Sequence, residues 1–275
     1  MFIGIDLGTS SVKMIIVDYD QNILATADSP VSVQNPKDGY SEQNPEEWIN
    51  ATLECLEVLK SKKPKEFMET IAIGISGQMH GATLIDSSGE VIRPCILWND
   101  TRSYKECEEF ENQNIDVRSI SGNITMPGFT APKINWLKNN EIESFKKIHK
   151  VLLPKDYLRF YLTGDYYSEM SDASGTLWLD VKDRKWSEKL LSCSELDLKH
   201  MPTLVEGNQE TGTLKNNIKD KFGFNNNVLV VGGAGDQAAA AAGMGIINQK
   251  QSFISLGTSG VFFTPTQNFL SNTGD

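Results

Sequence analysis

Three short apolar runs open the chain, Phe2–Ile5, Val12–Val17 and Ile23–Thr26, and only a few polar residues separate each from the next. A parallel crossover needs a dozen or more residues, so connections this short join neighbouring antiparallel strands. The chain therefore starts as an antiparallel meander. Its first turn, Asp6-Leu7-Gly8-Thr9-Ser10-Ser11, contains glycine and presents backbone N–H groups; the second is Asp18-Tyr19-Asp20-Gln21-Asn22.

A helix follows from Asn44-Pro45-Glu46-Glu47. Asn44 is a capping residue, Pro45 suits the first turn, and Glu47 stands where it would complete a capping box. Ile49, Leu53, Leu56 and Leu59 mark the buried face, and Pro64 marks the end. Ile71–Ile75 returns to strand character and runs into Ser76-Gly77-Gln78-Met79-His80-Gly81. Thr83–Asp86 and Glu90–Leu97 flank Ser87-Ser88-Gly89, which predicts a hairpin. The middle of the chain is less periodic, with helices expected near Ser187–Leu191 and Leu214–Phe222. Asn227–Val231 then reads as a strand ending in the glycine run before Asp236, and Ala238–Ala242 as a helix. Phe253–Leu256, Gly257-Thr258-Ser259-Gly260 and Val261–Phe263 form a second strand-turn-strand unit like the first. Strands alternating with helices in this way predict an α/β fold.

Composition narrows the function. The net charge of −10, from 26 Lys plus Arg against 36 Asp plus Glu, argues against a phosphate-backbone partner, because no dense basic block offsets it. Lys60–Lys65 contains a proline and reads as a solvated helix end. The apolar start is broken by Asp6 and is too short for a membrane span or a signal peptide. Cys55, Cys95, Cys107 and Cys193 lack metal or disulfide spacing, as expected of thiols in the reducing cytoplasm. His80, His149 and His200 lie too far apart in sequence to suggest a histidine metal centre.

The glycine turns carry the candidate chemistry. Asp6 suits Mg²⁺, while Gly8, Thr9 and Ser10 allow donors to approach phosphate oxygens; the same residues also make an ordinary hairpin turn. Lys13 is either a phosphate contact or surface filling. The turn is neither a Gly-x-Gly-x-x-Gly fingerprint nor a Gly-x-x-x-x-Gly-Lys-Ser/Thr loop, which weakens dehydrogenase and P-loop readings. Asp236, at a helix start after a strand, is either a general base for a hydroxyl or a helix cap. Gln237 is a sugar contact or a first-turn residue. Met79 and His80 sit on a post-strand loop, where His80 serves a polyol network or simply packs. Trp98, Asn99, Asp100 and Arg102 join a polar cluster to an aromatic surface.

Together these segments resemble the FGGY carbohydrate kinases, whose ribonuclease H-like fold is similar to those of hexokinase, actin and Hsp70-type ATPases. Gly4-Ile5-Asp6-Leu7-Gly8-Thr9-Ser10-Ser11-Val12-Lys13 resembles the family's first phosphate loop. Gly128-Phe129-Thr130-Ala131-Pro132-Lys133-Ile134-Asn135-Trp136-Leu137 resembles its N-terminal signature, in which Lys133 and Trp136 are expected to be structural. Ser76–Gly81, Leu97–Arg102, Leu153–Leu158 and Met170–Thr176 look like the D-xylulose-phosphorylating members, whereas glycerol-phosphorylating members carry Arg-Glu at Met79-His80.

The resemblance implies ATP-dependent transfer to O5 of D-xylulose, with Asp236 as base and Gln78, Met79, His80, Trp98, Asn99, Asp100 and Gln237 lining the sugar. It places Asp6 at Mg²⁺, and Gly8, Thr9, Ser10, Lys13, Gly257, Thr258 and Ser259 along the phosphates of ATP. Kinases for ribulose, gluconate or glycerol are the neighbouring alternatives; an actin-like or Hsp70-like ATPase is a more distant one. Residues 1–246 would form the sugar-binding domain and 247–275 the start of a nucleotide-binding domain. Only eleven residues follow Thr264, so the expectation is a chain that turns over poorly or not at all alone. A homodimer is among the assemblies left open, with no nucleic acid or membrane partner.

Overall fold

The computed structural model describes residues 1–256 and 260–271. Its centre is a mixed sheet built on the expected meander: β1 (Phe2–Leu7), β2 (Ser11–Val17) and β3 (Ile23–Pro30) pair antiparallel in sequence order. Alternation decides which face is inward, since Ile3, Ile5 and Leu7 on β1 and Val12, Met14 and Ile16 on β2 are all buried. On the other side of β1 lies β4 (Ala72–Gly77), parallel to it.

The sheet continues through β5 (Glu210–Thr213), β6 (Leu229–Val231) and β7 (Ala234–Gly235) in the order β5-β6-β4-β1-β2-β3, with β7 also pairing β4. Both β6 and β7 run parallel to β4. From Val230 to Ala234 the chain advances four positions while its partner advances three, from Ile73 to Ser76. One extra residue is thus inserted at Gly232-Gly233, a β-bulge with Gly233 at φ +73°.

Helix α1 (Pro45–Lys62) covers β2 and β3, burying Ile49, Leu56 and Leu59. Asn44 caps it by accepting from the Glu46 N–H at 3.1 Å. The capping box does not form: Glu47 instead accepts from the Ser32 N–H at 2.9 Å, because the end of the meander passes within its reach. The predicted hairpin around Ser87-Ser88-Gly89 is also corrected. Its turn closes, but Thr83–Ile85 pairs with Lys150–Leu152 and Cys95–Ile96 with Glu42–Gln43, leaving only isolated bridges between the two arms, Ile85 with Val91 and, just outside, Ala82 with Ile96.

Two further helices bear on the site, α2 (Thr130–Asn140) and α3 (Pro154–Thr163), and a last one, α4 (Asp236–Gly243), leaves directly from β7. Two hydrophobic cores result. One joins the sheet to α1 and the other surrounds Phe110, Ile134, Leu137 and Trp178. The four cysteines are free and buried. Among the described residues no helix is long and apolar enough to cross a membrane.

Candidate active site

The parallel strands β1, β4 and β7 end side by side, and their C-terminal ends carry Asp6, the Gln78–His80 loop and Asp236. Asp6 on β1 accepts a hydrogen bond from Ser76 Oγ on β4 at 2.9 Å. Across the first hairpin Asp6 is in register with Lys13, which is exposed. Both line a cavity of about 500 Å³ together with Gly233, Ala234, Ala239 and Ala242. The first hairpin and α4 therefore face one another across a groove.

The first turn is tied down from beneath. Trp98 Nε1 donates to Thr9 Oγ1 at 2.9 Å, and that hydroxyl donates to Gln78 Oε1 at 3.0 Å. Gln78 Nε2 then donates to Gln43 Oε1 at 2.7 Å, which also takes the Trp48 indole N–H, while Gln43 Nε2 returns to the Thr9 carbonyl at 2.7 Å. Gln78 is buried and spends its amide on protein partners, which departs from the sugar contact expected of it. The hydroxyl of Thr9 and the indole N–H of Trp98 are likewise engaged, and the Gly8 N–H closes the turn onto the Ser11 carbonyl at 3.0 Å. Ser10 and Asn99 are exposed.

Asp100 departs furthest from its expected sugar contact. It is buried, accepts from the Ser41 N–H at 2.6 Å and forks with Arg102, whose Nη2 also meets Glu42 at 2.7 Å. The Arg102 guanidinium stacks 3.8 Å from the Tyr40 ring centroid and 4.9 Å from that of Trp136. These residues brace the loop between β4 and α2, which is the structural part expected of Trp136.

Met79 and His80 come together with the segment before Asp236. A Cβ on Gly235 would lie 2.9 Å from Met79 Sδ, and one on Gly175 would lie 2.5 Å from the His80 ring. Neither position accommodates a side chain without displacing the Met79 thioether or the His80 ring. His80 adopts φ +67°, a left-handed conformation for a non-glycine residue, and is held on three sides. Its Nδ1 lies 2.8 Å from the Gly175 carbonyl, its ring meets Phe129 edge-on, and its carbonyl accepts from Thr130 Oγ1 and Lys133 Nζ. Burial lowers its pKa to about 4, against the opposing pull of the Gly175 hydrogen bond, so the ring is neutral. A carbonyl only accepts, so Nδ1 carries the proton and Nε2 is an acceptor.

Lys133, on α2, is fully buried and donates to the carbonyls of His80 at 2.9 Å and Gly128 at 2.7 Å. Burial lowers its pKa to about 7, although Cys95 and Asp100 pull the other way. The unfolded lysine holds its proton up to its ordinary pKa near 10.4. Between these values the unfolded chain binds more protons, so this group makes stability rise with pH above 7. An NMR titration of the Lys133 side chain is expected to give a midpoint near 7; a midpoint near the ordinary lysine value would contradict the burial account.

Asp236 begins α4, and the Gln237 N–H donates to its Oδ1 at 2.7 Å. Burial raises its pKa, and the negative charge of Asp6 adds to the effect. The carboxylate is thus a stronger base than a free one, while remaining at a helix N-terminus that favours its charged form. Gly257, Thr258 and Ser259 lie outside the described residues.

Residues 1–243 match the model of the N-terminal domain of the FGGY family of carbohydrate kinases. The chain belongs to this family. Two curated relatives are the xylulose kinase of Escherichia coli strain K12, 46% identical over 98% of this chain and 55% of that protein, and that of Lactococcus lactis, 43% identical over 94% of this chain and 52% of that one. A solved xyloylose (xylulose) kinase structure from Brucella ovis superposes with a TM-score of 0.96 at 48% identity, covering 98% of this chain and 56% of the other. The chain spans about half the length of the curated relatives it matches. The FGGY fold expected from the sequence, an actin-like mixed sheet flanked by helices, is the one observed.

Three further residues that hold the candidate site together carried no role in the sequence. Gln43 joins the relay beneath the first turn, Gly175 accepts from the His80 ring, and Ser171 Oγ accepts from the Gly235 N–H at 3.0 Å. Gly175 and Ser171 lie in the Met170–Thr176 segment that carried the resemblance, so a signal was present without a role attached to it.

Proposed function

We propose that this chain provides the sugar-accepting domain of an ATP-dependent kinase that phosphorylates D-xylulose at O5, giving D-xylulose 5-phosphate and ADP. The observation that carries the reading is Asp236: a carboxylate made more basic by burial, beside the Met79-His80 loop and across a groove from Asp6. In this reading Asp236 takes the proton of the sugar hydroxyl as its oxygen bonds to the γ-phosphorus and the bond to the β-phosphate oxygen breaks. His80 offers Nε2 as an acceptor to a second hydroxyl, and the Met79 thioether covers an apolar edge of the sugar. The likeness to xylulose kinases supports D-xylulose as acceptor.

Among the described residues no group of three or more His, Cys, Asp or Glu forms a metal cluster. Mg²⁺ is commonly held by one or two carboxylates with water and substrate phosphates. Asp6, with Ser76 on only one of its oxygens, would hold it, and the ion would neutralise charge on the phosphate oxygens. Lys13, lining the same groove, would add a cation for the phosphates.

Calorimetric titration with D-xylulose, D-ribulose, gluconate and glycerol tests the assignment. D-xylulose is expected to bind saturably and most tightly, with His80→Ala weakening it about tenfold, the value of one well-made hydrogen bond. Tighter binding of another ligand would reassign the substrate within the family. Binding of none would remove the acceptor site from this chain.

A further inference from the structure

The segments Leu153–Leu158 and Met170–Thr176 supply no group to the sugar reading except Gly175, yet with Arg159 and Glu169 they build the most heavily charged buried region described. Lys155, Asp156, Arg159, Glu169 and Asp172 are each less than 4% exposed. Lys155 Nζ lies 2.8 Å from Asp156, 3.3 Å from Asp172 and 3.6 Å from Glu169. Arg159 Nη1 donates to Asp156 at 2.9 Å and to the Tyr167 carbonyl at 2.7 Å. Two cations thus face three carboxyl groups, and the excess is relieved at Asp172, whose pKa is held well above the ordinary range by burial, with Asp156 and Glu169 adding to it.

Two arms leave this cluster, and both end on the backbone leading into Asp236. Arg159 Nη2 donates to the Gly232 carbonyl, within the bulge. Ser171 Oγ donates to Glu169 Oε1 at 2.9 Å and accepts the Gly235 N–H at 3.0 Å, one residue before Asp236. Glu169 fixes Ser171 in turn, accepting its N–H at 2.8 Å and that of Asp172 at 2.9 Å. From the other side the bulge is pinned by its own N–H groups, Gly232 to the Gln209 carbonyl at 2.9 Å and Gly233 to that of Gly207 at 2.8 Å. The four residues before Asp236 are therefore gripped at both ends by side chains that lie outside the sugar and phosphate groove.

We propose that Arg159 and Ser171 are positioning residues that lock the bulge and the Gly235 peptide, and so set the direction of the Asp236 carboxylate. An inserted residue disturbs the ladder, and the Arg159 arm satisfies a carbonyl of the bulge while the Ser171 arm satisfies the N–H of Gly235 in β7, just beyond it. The two charged segments act on the reaction through Asp236, not by touching substrate. This inference rests on the reading of Asp236 as the base.

The test uses Ser171→Ala, Ser171→Thr and Arg159→Lys, which keeps the charge of the arginine but loses its fork. Three quantities are measured: the ¹³C-carboxyl titration of Asp236, D-xylulose affinity by calorimetry, and thermal unfolding. Ser171→Ala and Arg159→Lys are expected to remain folded, to bring the Asp236 midpoint down toward the ordinary carboxylate value as the loosened loop admits water, and to weaken D-xylulose about tenfold. Ser171→Thr, which retains the hydroxyl, is expected to restore both readouts. An unchanged Asp236 midpoint in both Ser171→Ala and Arg159→Lys would overturn the proposal, as would failure of Ser171→Ala to fold. The carboxyl titration needs no sugar, so absence of D-xylulose binding by the unsubstituted chain would sink the substrate reading while leaving this one to be decided.

Discussion

Replacing Gly233 by alanine is expected to cost more than about 5 kcal/mol, comparable to the whole stability of many domains. Two costs combine. The residue sits at φ +73°, where a Cβ is disfavoured by about 1–2 kcal/mol. That Cβ would also run into the carbonyl oxygen of Ile75, a backbone atom in the middle of β4 that cannot swing aside. Gly245 provides the control, since it has φ +70° and, among the described residues, nothing within 4 Å of where its Cβ would stand. Thermal unfolding followed by circular dichroism should show Gly245→Ala losing only the backbone term and Gly233→Ala giving no cooperative transition. If the two variants melt together, the close approach to Ile75 is not what demands glycine.

The second large effect is expected at Lys155. Lys155→Met removes one of two cations from a site holding three carboxyl groups, and breaking a buried pair in this way costs about 3–5 kcal/mol. Burial alone would lower the pKa of Lys155, but its carboxylate neighbours, Asp156 first, outweigh it and hold the ammonium charged. Asp156 in turn is held below the ordinary carboxylate range, its burial overcome by Lys155 and Arg159. That contribution is present above the ordinary carboxylate pKa and lost as pH falls through the lowered one. In the variant the missing cation raises the carboxyl pKa values instead, so mild acid adds a proton to the folded state and stabilises it. Urea unfolding should therefore show a deficit that is largest near pH 7 and shrinks toward pH 5. A deficit constant across that range would place its origin in packing.

Features set by neighbouring residues were legible in the sequence. The meander, the Asn44 cap, the end of α1 before Pro64 and the placement of Asp236 at a helix start all follow from short-range rules, and all are present. What was not legible depends on partners that only the fold supplies. The turn at Ser87-Ser88-Gly89 forms as its residues dictate, but Thr83–Ile85 finds a better ladder in Lys150–Leu152, far along the chain. Glu47 has the spacing of a capping box and bonds Ser32 because the meander delivers that N–H first.

The same limit explains the site. Gln78, Thr9, Trp98 and Asp100 have the chemistry of sugar or phosphate ligands, and nothing local shows that each is already engaged by protein. Lys133, expected to be structural, is fully buried, and so is Lys155, to which nothing local assigns a role. Met79, His80 and Asp236 stand where their chemistry can be used because strands β4 and β7 run parallel and end together.

The parallel ladder between β4 and β6 also orders events during synthesis. β4 can pair with β1 once the first eighty or so residues have left the ribosome, at the roughly 5–20 residues per second typical of translation. Its other edge must wait for Leu229, and until then it presents unpaired backbone groups to any extended chain nearby. Asp236 is therefore placed only when this slow, long-range pairing closes, and until Leu229 emerges the nascent chain carries an open sheet edge.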